Sequence, residues 1–487
     1  MQSLHAFRTD RGYPQGALVR TLAALAVLAA AVAFASAPHA ARSSGGPQPY
    51  VAPAGSGALF LVSGHGYGHG VGMGQWGAQG YAEQGNTYVQ ILDAYYPGTE
   101  LGQTSTTSIR VLLTSGQKQL TISSKKAFTV TDGDGVEHTL PAGKTTFGPG
   151  LKLAVDGGPA TALTAPLTFA PTGGSAPLTL GHAYRGQILV DAPGKKLRAV
   201  NQLPLDQYLY GVVPAEMPSA WLPAALEAQA VAARSYALAN RKAAAPFDVY
   251  ADGRSQAYLG VSAETPAGRQ AVDETAGEVL LYGGSVADTL FSSSTGGWTQ
   301  SAADAFGPPG RPYLVSVKDP YDTISPYHNW GPIPVTGQTL SGALGVTGQV
   351  VDATVKRNSS RRVKALKVSA LSGGAAHSSS ITGASTASAL GLRSTWFSVG
   401  VLSLQAPSPN PKVVAGTSVM LSGVVRGIQG VVVQKRSGGG AWQQLRSVVP
   451  GSFSFSVKPK VTTQYRLTSG NDAAAPVRIR VQTGTLG

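Results

Sequence analysis

The 487-residue chain has no cysteine. That excludes a disulfide framework and any cysteine-ligated metal, so stability has to come from buried apolar cores, which a chain of this length readily supplies. Carboxylates are scarce, with 24 Asp and Glu against 38 Lys and Arg, and the formal charge is +14. The basic residues are scattered and no basic run is interleaved with aromatics. This argues against nucleic acid and for attraction to anionic wall polymers or a membrane surface. Long apolar runs are missing too, and the strongest, residues 22–34, is too short to span a bilayer comfortably. Behind Arg8, Arg11 and Arg20 and ahead of small residues through Ala41, it reads as a secretory signal or N-terminal anchor over 1–41. A secreted or cell-surface, extracytoplasmic protein is expected. No Gly-x-Ser-x-Gly elbow occurs, and Ser292, Ser293 and Ser294 have no His nearby to serve as base, which argues against a serine hydrolase.

Turn residues divide the rest. Residues 42–56 are rich in Ser, Gly, Pro and Ala and are expected to form a flexible spacer. Over 109–200, short β-branched runs alternate with Gly, Asp and Pro turns, the mark of antiparallel sheet, and 351–368 is again β-rich. Pro407, Pro409 and Pro411 mark 403–416 as a stiff linker. Beyond it, 418–425, 430–436, 442–449, 452–457, 464–468 and 477–481 read as short strands of an immunoglobulin-like β-sandwich over 417–487. Trp442 is assigned to its packing, and attachment or spacing to the sandwich as a whole. The expected fold class is α+β, with a β-rich domain over 57–402 whose few helices surround a cleft, followed by the sandwich.

One carboxylate stands out, in Gly211-Val-Val-Pro-Ala-Glu216-Met-Pro-Ser. Flanked by Pro214 and Pro218, Glu216 is expected in a turn just ahead of a helix over 223–242. There Leu226, Ala230, Ala233 and Ala237 recur at helical spacing and Pro223 can occupy the first turn. Arg234 falls at the edge of that apolar stripe and needs a fixed acceptor if desolvated. Glu216 or a substrate oxygen could supply it, and so could Glu227, seven residues earlier on the same side. A single well-placed acid suits glycoside chemistry in which one residue acts first as acid and then as base. Asp206, expected in a strand-end turn, and Glu227 both have structural explanations. Thr87 with Gln90 forms a capping box opening a helix through Ile91, Leu92 and Tyr95, which Pro97-Gly98 ends.

In Gly64-His-Gly-Tyr-Gly-His69-Gly-Val-Gly-Met-Gly-Gln75-Trp-Gly-Ala78, glycine takes every second position through Gly74. If extended, this segment carries all its side chains on one face and leaves the other bare for a strand or a sugar ring. His65 and His69 have the four-residue spacing of helical zinc ligands, but alternate glycines disfavour a helix. In a strand the two rings would stand roughly 13 Å apart, too far for one ion. No metal and no cofactor is expected.

The Glu216 block, the segment from Phe291-Ser-Ser-Ser-Thr-Gly-Gly297 to Pro312-Tyr-Leu-Val-Ser-Val-Lys-Asp319-Pro, and the glycine-histidine block together resemble the SpoIID/LytB family of bacterial cell-wall proteins. Tyr95-Tyr96-Pro97-Gly98-Thr99, the strand-like 197–210 and Leu390-Gly-Leu-Arg-Ser-Thr-Trp-Phe397 extend the resemblance over roughly 57–400. The glycine block precedes the Glu block here, whereas in the sporulation members it follows, so the order looks permuted. That is tolerable when the old termini lie close together. The resemblance implies a lytic transglycosylase that cuts between N-acetylmuramic acid and N-acetylglucosamine of peptidoglycan glycan strands and leaves 1,6-anhydro ends. It implies Glu216 as the catalytic acid with Arg234 in the same cleft; Arg234, His69, Gln75 and Ser293 are expected to hold substrate, and His65 is left between a substrate contact and a satisfied surface histidine. The LytB branch implies an alternative, a non-catalytic glycan-binding protein that stimulates a cell-wall amidase. A metal-dependent hydrolase would rest only on His65 and His69.

Overall fold

The computed structural model describes residues 50–482 apart from 56, 175 and 409, so the expected signal segment 1–41 and the start of the spacer lie outside the described residues. The fold is α+β, with eight α-helices among the described residues. None of these is long and apolar enough to cross a membrane.

The expected sheet over 109–200 is present. Its seven strands run in the order Val249–Tyr250, Ser108–Gln117, Leu197–Pro204, Gln187–Asp191, Leu167–Pro171, Phe128–Thr131, Glu137–Leu140. Two-residue alternation builds it: Phe128 and Val130, Leu167 and Phe169, Ile188 and Val190 all point into one core. The strand-like stretch expected to continue to Tyr210 stops at Pro204, and helix α3 runs from Leu205 to Glu216. Leu205, Tyr208, Leu209, Val212 and Val213 are buried at helical spacing, which is the physical reason for the switch.

Four further helices surround this junction. They are α1 (Gln75–Glu83), α2 (Tyr88–Tyr95), α4 (Pro223–Ala239) and α5 (Pro266–Glu274). Thr87 and Gln90 close the expected capping box on α2, Gln90 N–H to Thr87 Oγ1 at 3.4 Å and Thr87 N–H to Gln90 Oε1 at 2.9 Å. The alanines of α4 are buried nearly all round, because small side chains let α1, α2, α3 and α5 pack against it. Glu216 thus closes a helix and is followed by the turn, instead of lying within it.

A second, five-stranded sheet brings an early strand together with strands from the later part of the chain. Leu59–His65 lies between Asn329–Thr336 and Phe397–Gln405, pairing Leu59 with Leu402 and Gly64 with Phe397, and the sheet continues into Val419–Arg426 and Gly451–Val457. The strand that leads into the glycine block therefore sits beside Phe397–Gln405. Facing this sheet is another, in the order Lys412–Val414, Val477–Gln482, Thr463–Ser469, Val431–Ser437, Gln443–Val448, with Leu421, Val425, Val433, Leu467 and Ile479 between the layers. All six strands expected over 417–487 are there. The linker expected over 403–416 begins inside Phe397–Gln405, which is hydrogen-bonded directly to Val419–Arg426, and includes Lys412–Val414. The described end of the expected spacer is likewise pinned, with Tyr50 and Ala52 bonded to Asp472 and Ala473.

Candidate active site

Glu216 is half-buried at the C-terminal end of α3. Its Oε1 accepts the backbone N–H of Ala257 at 2.8 Å. Burial pushes its pKa above the usual carboxylate value, while the Ala257 N–H and the side-chain amide of Gln75 pull in the opposite direction. Burial prevails, and the negative end of the α3 dipole adds to it. No other carboxylate figures among the groups acting on Glu216. Tyr208 and Tyr236 lie close enough for the Glu216 charge to raise their phenol pKa values further, after burial.

Gln75 reaches Glu216 from the first position of α1, and its Nε2 also lies 3.5 Å from Oε1 of the fully buried Gln229 on α4. One residue on, Trp76 packs edge-on against Trp221 with ring centroids 4.8 Å apart. Gln79 of α1 accepts the N–H of Leu222 at 3.0 Å. These contacts fasten the turn after Glu216 to α1. The sequence placed Gln75 near a sugar; the structure makes it a direct partner of the acid.

The segment leading into α1 is curled. Gly66, Gly68, Gly70 and Gly72 have φ of 74°, 99°, 69° and 68°, so the chain takes a left-handed step at every second residue, and the extended ribbon expected here does not form. Its bare face meets protein. A Cβ on Gly70 would run into the Arg362 guanidinium, and one on Gly72 into the Leu290 carbonyl. Backbone groups are paired along the curl: Tyr67 N–H with Ser294 O at 2.8 Å, Gly70 N–H with Ser292 Oγ at 3.2 Å, Gln300 N–H with Gly70 O at 2.6 Å.

His69 buckles this curl. Its Nδ1 accepts the N–H of Val71 at 2.9 Å and the ring is hydrogen-bonded to the Phe291 backbone. Burial, with Arg362 adding to it, lowers its pKa to about 4, so the ring is neutral. One ring nitrogen of the half-buried His69 is thus engaged within the curl itself. His65 packs on Trp396 at 4.8 Å and bonds Asn329, and burial lowers its pKa as well. The two rings face different neighbours, and among the described residues no group of three potential ligands could hold a metal.

Arg234 also departs from expectation. It is fully buried, and its acceptor is Asp206, with Nε and Nη2 at 3.0 and 2.9 Å from Oδ1. The carbonyls of Glu278 and Val272 take further donors at 3.0 and 3.3 Å. Neither Glu216 nor Glu227 is its partner. Glu227 is hydrogen-bonded to Glu274, and burial foremost, then Glu274, pushes its pKa up to about 7. Arg234 ties α4 to α3 and the 272–278 segment, and an enclosed guanidinium cannot touch a glycan.

In the serine loop, Ser294 Oγ donates to Asp322 at 2.8 Å, Thr295 Oγ1 to Asp319 at 2.7 Å, and the N–H groups of Thr295 and Gly296 also donate to Asp322. Asp322 and Asp319 are buried, and burial first, then the Asp322 charge, raises Asp319 to about 7. Sequence reasoning quoted Asp319 without giving it a role and missed Asp322. The Ser293 carbonyl accepts the Trp76 N–H at 3.0 Å, and its half-buried hydroxyl has no hydrogen-bond partner among the described residues. Of the five expected site residues, Glu216, Gln75 and Ser293 gather around the start of α1. Arg234 is enclosed by the fold, and His69 is half-buried in the glycine curl.

Residues 193–282, which contain α3, α4 and α5, match the family model of the stage II sporulation protein, SpoIID. The chain is 36% identical over 149 residues to stage II sporulation protein D of Bacillus subtilis, covering 26% of this chain and 42% of that protein. It is 40% identical over 114 residues to the amidase enhancer of Bacillus subtilis, covering 23% and 15%. An uncharacterised protein of Brachyspira hyodysenteriae is 39% identical over 143 residues, covering 28% and 38%. The chain thus spans less than half the length of each of these relatives. No solved structure matches. The glycine block lies outside the matched 193–282 segment, yet its Gln75 completes the surroundings of Glu216. The helices that carry Glu216 and Arg234 thus lie in a segment that is similar to the stage II sporulation protein family, SpoIID.

Proposed function

We propose that this protein is a lytic transglycosylase of peptidoglycan glycan strands, exported to the cell surface, with Glu216 as its catalytic group. The observation that carries the reading is a raised carboxyl on which no other carboxylate acts. Glycoside hydrolysis ordinarily uses two carboxyl groups, one as acid and one as nucleophile or base. Asp206 is committed to Arg234 and Glu227 to Glu274.

A single acid suffices when the nucleophile is on the substrate. Oε1, held by the Ala257 N–H, is the carbonyl oxygen of the neutral group, and the proton sits on the other oxygen. It passes to the glycosidic O4 as the bond from C1 of N-acetylmuramic acid to O4 breaks. The carboxylate then removes the proton of the muramoyl 6-hydroxyl while that oxygen bonds to C1. Glu216 ends protonated, one glycosidic bond has become a 1,6-anhydro bridge, and no water is consumed. In this reading Ser293 and the Trp76–Trp221 pair hold the sugar.

The 40% identity to an amidase enhancer favours a second reading, in which the cleft binds glycan without cutting it and stimulates a cell-wall amidase. Peptide-stripped glycan strands incubated with the purified protein, with and without an amidase, separate the two. Anhydro-muramoyl ends formed by the protein alone support the transglycosylase. Intact strands, with faster peptide release when amidase is added, support the enhancer.

A further inference from the structure

Of the chain's 38 basic and 24 acidic residues, positions 410–482 hold ten Lys and Arg and one acid, Asp472. Asp472 accepts the Tyr50 N–H. Register places much of this charge on one side of a sheet. Arg436 pairs with Gln464 and Gln464 with Arg478, Gln434 pairs with Arg466, and Lys412 pairs with Arg480. Paired residues share a face, and Arg478 and Arg480 are two apart, so four arginines and a lysine spread over four strands on the side opposite Val433, Leu467 and Ile479.

These cations are held ready. Arg436 donates Nε and Nη2 to Gln464 Oε1 at 2.9 and 2.6 Å, and Arg466 donates Nε to Gln434 Oε1 at 2.9 Å. Both guanidinium carbons lie over the Trp442 ring, at 4.6 and 4.1 Å from its centroid. Among the described residues none of the five has a carboxylate within ion-pair distance, although Arg426 and Arg110 do. Like charges fixed side by side repel, and burial and the Arg436 charge both lower the Arg466 pKa. Among the described residues no carboxylate balances the arrangement; an anionic ligand would.

We propose that this face binds a linear polymer of phosphodiester-linked units. Guanidinium groups take phosphate oxygens two at a time, and four strands at about 4.8 Å spacing need several anions on one flexible chain. The aromatic on this face is already covered by guanidiniums, which leaves it unable to stack a base or to enter a bilayer. The proposal stands apart from the chemistry at Glu216.

The test is binding of the full chain to soluble poly(glycerol phosphate), with phosphatidylglycerol vesicles and double-stranded DNA as competitors, over a range of salt. Binding that weakens with salt and tolerates both competitors is expected, with each of Arg478→Gln and Arg480→Gln reducing the log–log salt slope by about 0.7. Both side chains are exposed and make no hydrogen bond among the described residues, so these variants keep the fold. Arg436→Gln with Arg466→Gln should weaken binding by tenfold or more, whereas Lys364→Gln on another sheet should not. Absence of binding, binding unchanged in the arginine variants, or preference for vesicles or DNA would each overturn the proposal.

Discussion

Gln75, the first residue of α1, donates its side-chain amide to Glu216, the last residue of α3. The glycine-histidine block and the Glu block, separated by the whole β-rich insert, are thereby one site. The contact lowers the pKa that burial raises, adding to the larger effect of the Ala257 N–H.

Activity that needs neutral Glu216 is present below its folded pKa and is lost as pH rises through it. Gln75→Ala removes a group that favours the carboxylate, so the basic limb of the pH–rate profile should move to higher pH. Glu216→Gln should cut turnover by roughly 10²- to 10⁴-fold while glycan binding persists. Because the folded pKa lies above the unfolded one, ionised Glu216 costs stability once pH exceeds the unfolded value. The Gln variant should therefore melt higher than wild type at neutral pH. A basic limb unmoved by Gln75→Ala would remove Gln75 from the acid's control.

His69 should titrate at about 4 and carry its proton on Nε2 when neutral. Its pKa is depressed, so the unfolded chain binds the proton first and stability falls as pH drops from about 6.5 toward 4. Imidazole nitrogen shifts of selectively labelled protein report both quantities. A midpoint near 6.5 would mean that the ring is solvated and free to meet substrate.

Asp206→Ala leaves the Arg234 guanidinium buried without its counterion, at a cost of roughly 3–5 kcal/mol by denaturant unfolding. Arg234→Met removes the buried charge and leaves Asp206, whose side chain is 36% exposed, to water, so it should cost less. Glycan affinity of the folded fraction should be unchanged in both. Lost affinity with unchanged stability in Arg234→Met would restore the substrate-holding role.

Asp319, raised to about 7 beside Asp322, is penalised when ionised. Asp319→Asn keeps an acceptor for Thr295 and removes that penalty. Its melting temperature relative to wild type should therefore climb as pH rises from about 4 through 7. A difference that stays flat between pH 5 and 8 would contradict this.

What could be read in the sequence was local. The Thr87–Gln90 box, the alanine stripe of α4 and the strands beyond 417 rest on residues a few positions apart, and each formed. The helical spacing of Leu205, Tyr208, Leu209, Val212 and Val213 was also present, but Pro214 and the strand-like stretch 197–204 ahead of it concealed it. Alternate glycines permit either an extended ribbon or a left-handed curl. The choice is made by amide partners such as Ser294 and Gln300, which no local spacing names. Arg234 with Asp206 and Gln75 with Glu216 are tertiary pairs for the same reason. Glu216 itself was legible because Pro214 and Pro218 frame a lone carboxylate ahead of an alanine-rich helix.

Cleavage of peptide-stripped glycan strands in heavy-oxygen water, followed by mass analysis of the new ends, tests the central claim most directly. If Glu216 works alone and the muramoyl 6-hydroxyl is the nucleophile, the ends are 1,6-anhydro-muramoyl, one water lighter than hydrolysed ends, and carry no label. Labelled reducing ends from the purified protein would contradict the account and require a second catalytic carboxylate, with Asp206 the first to examine.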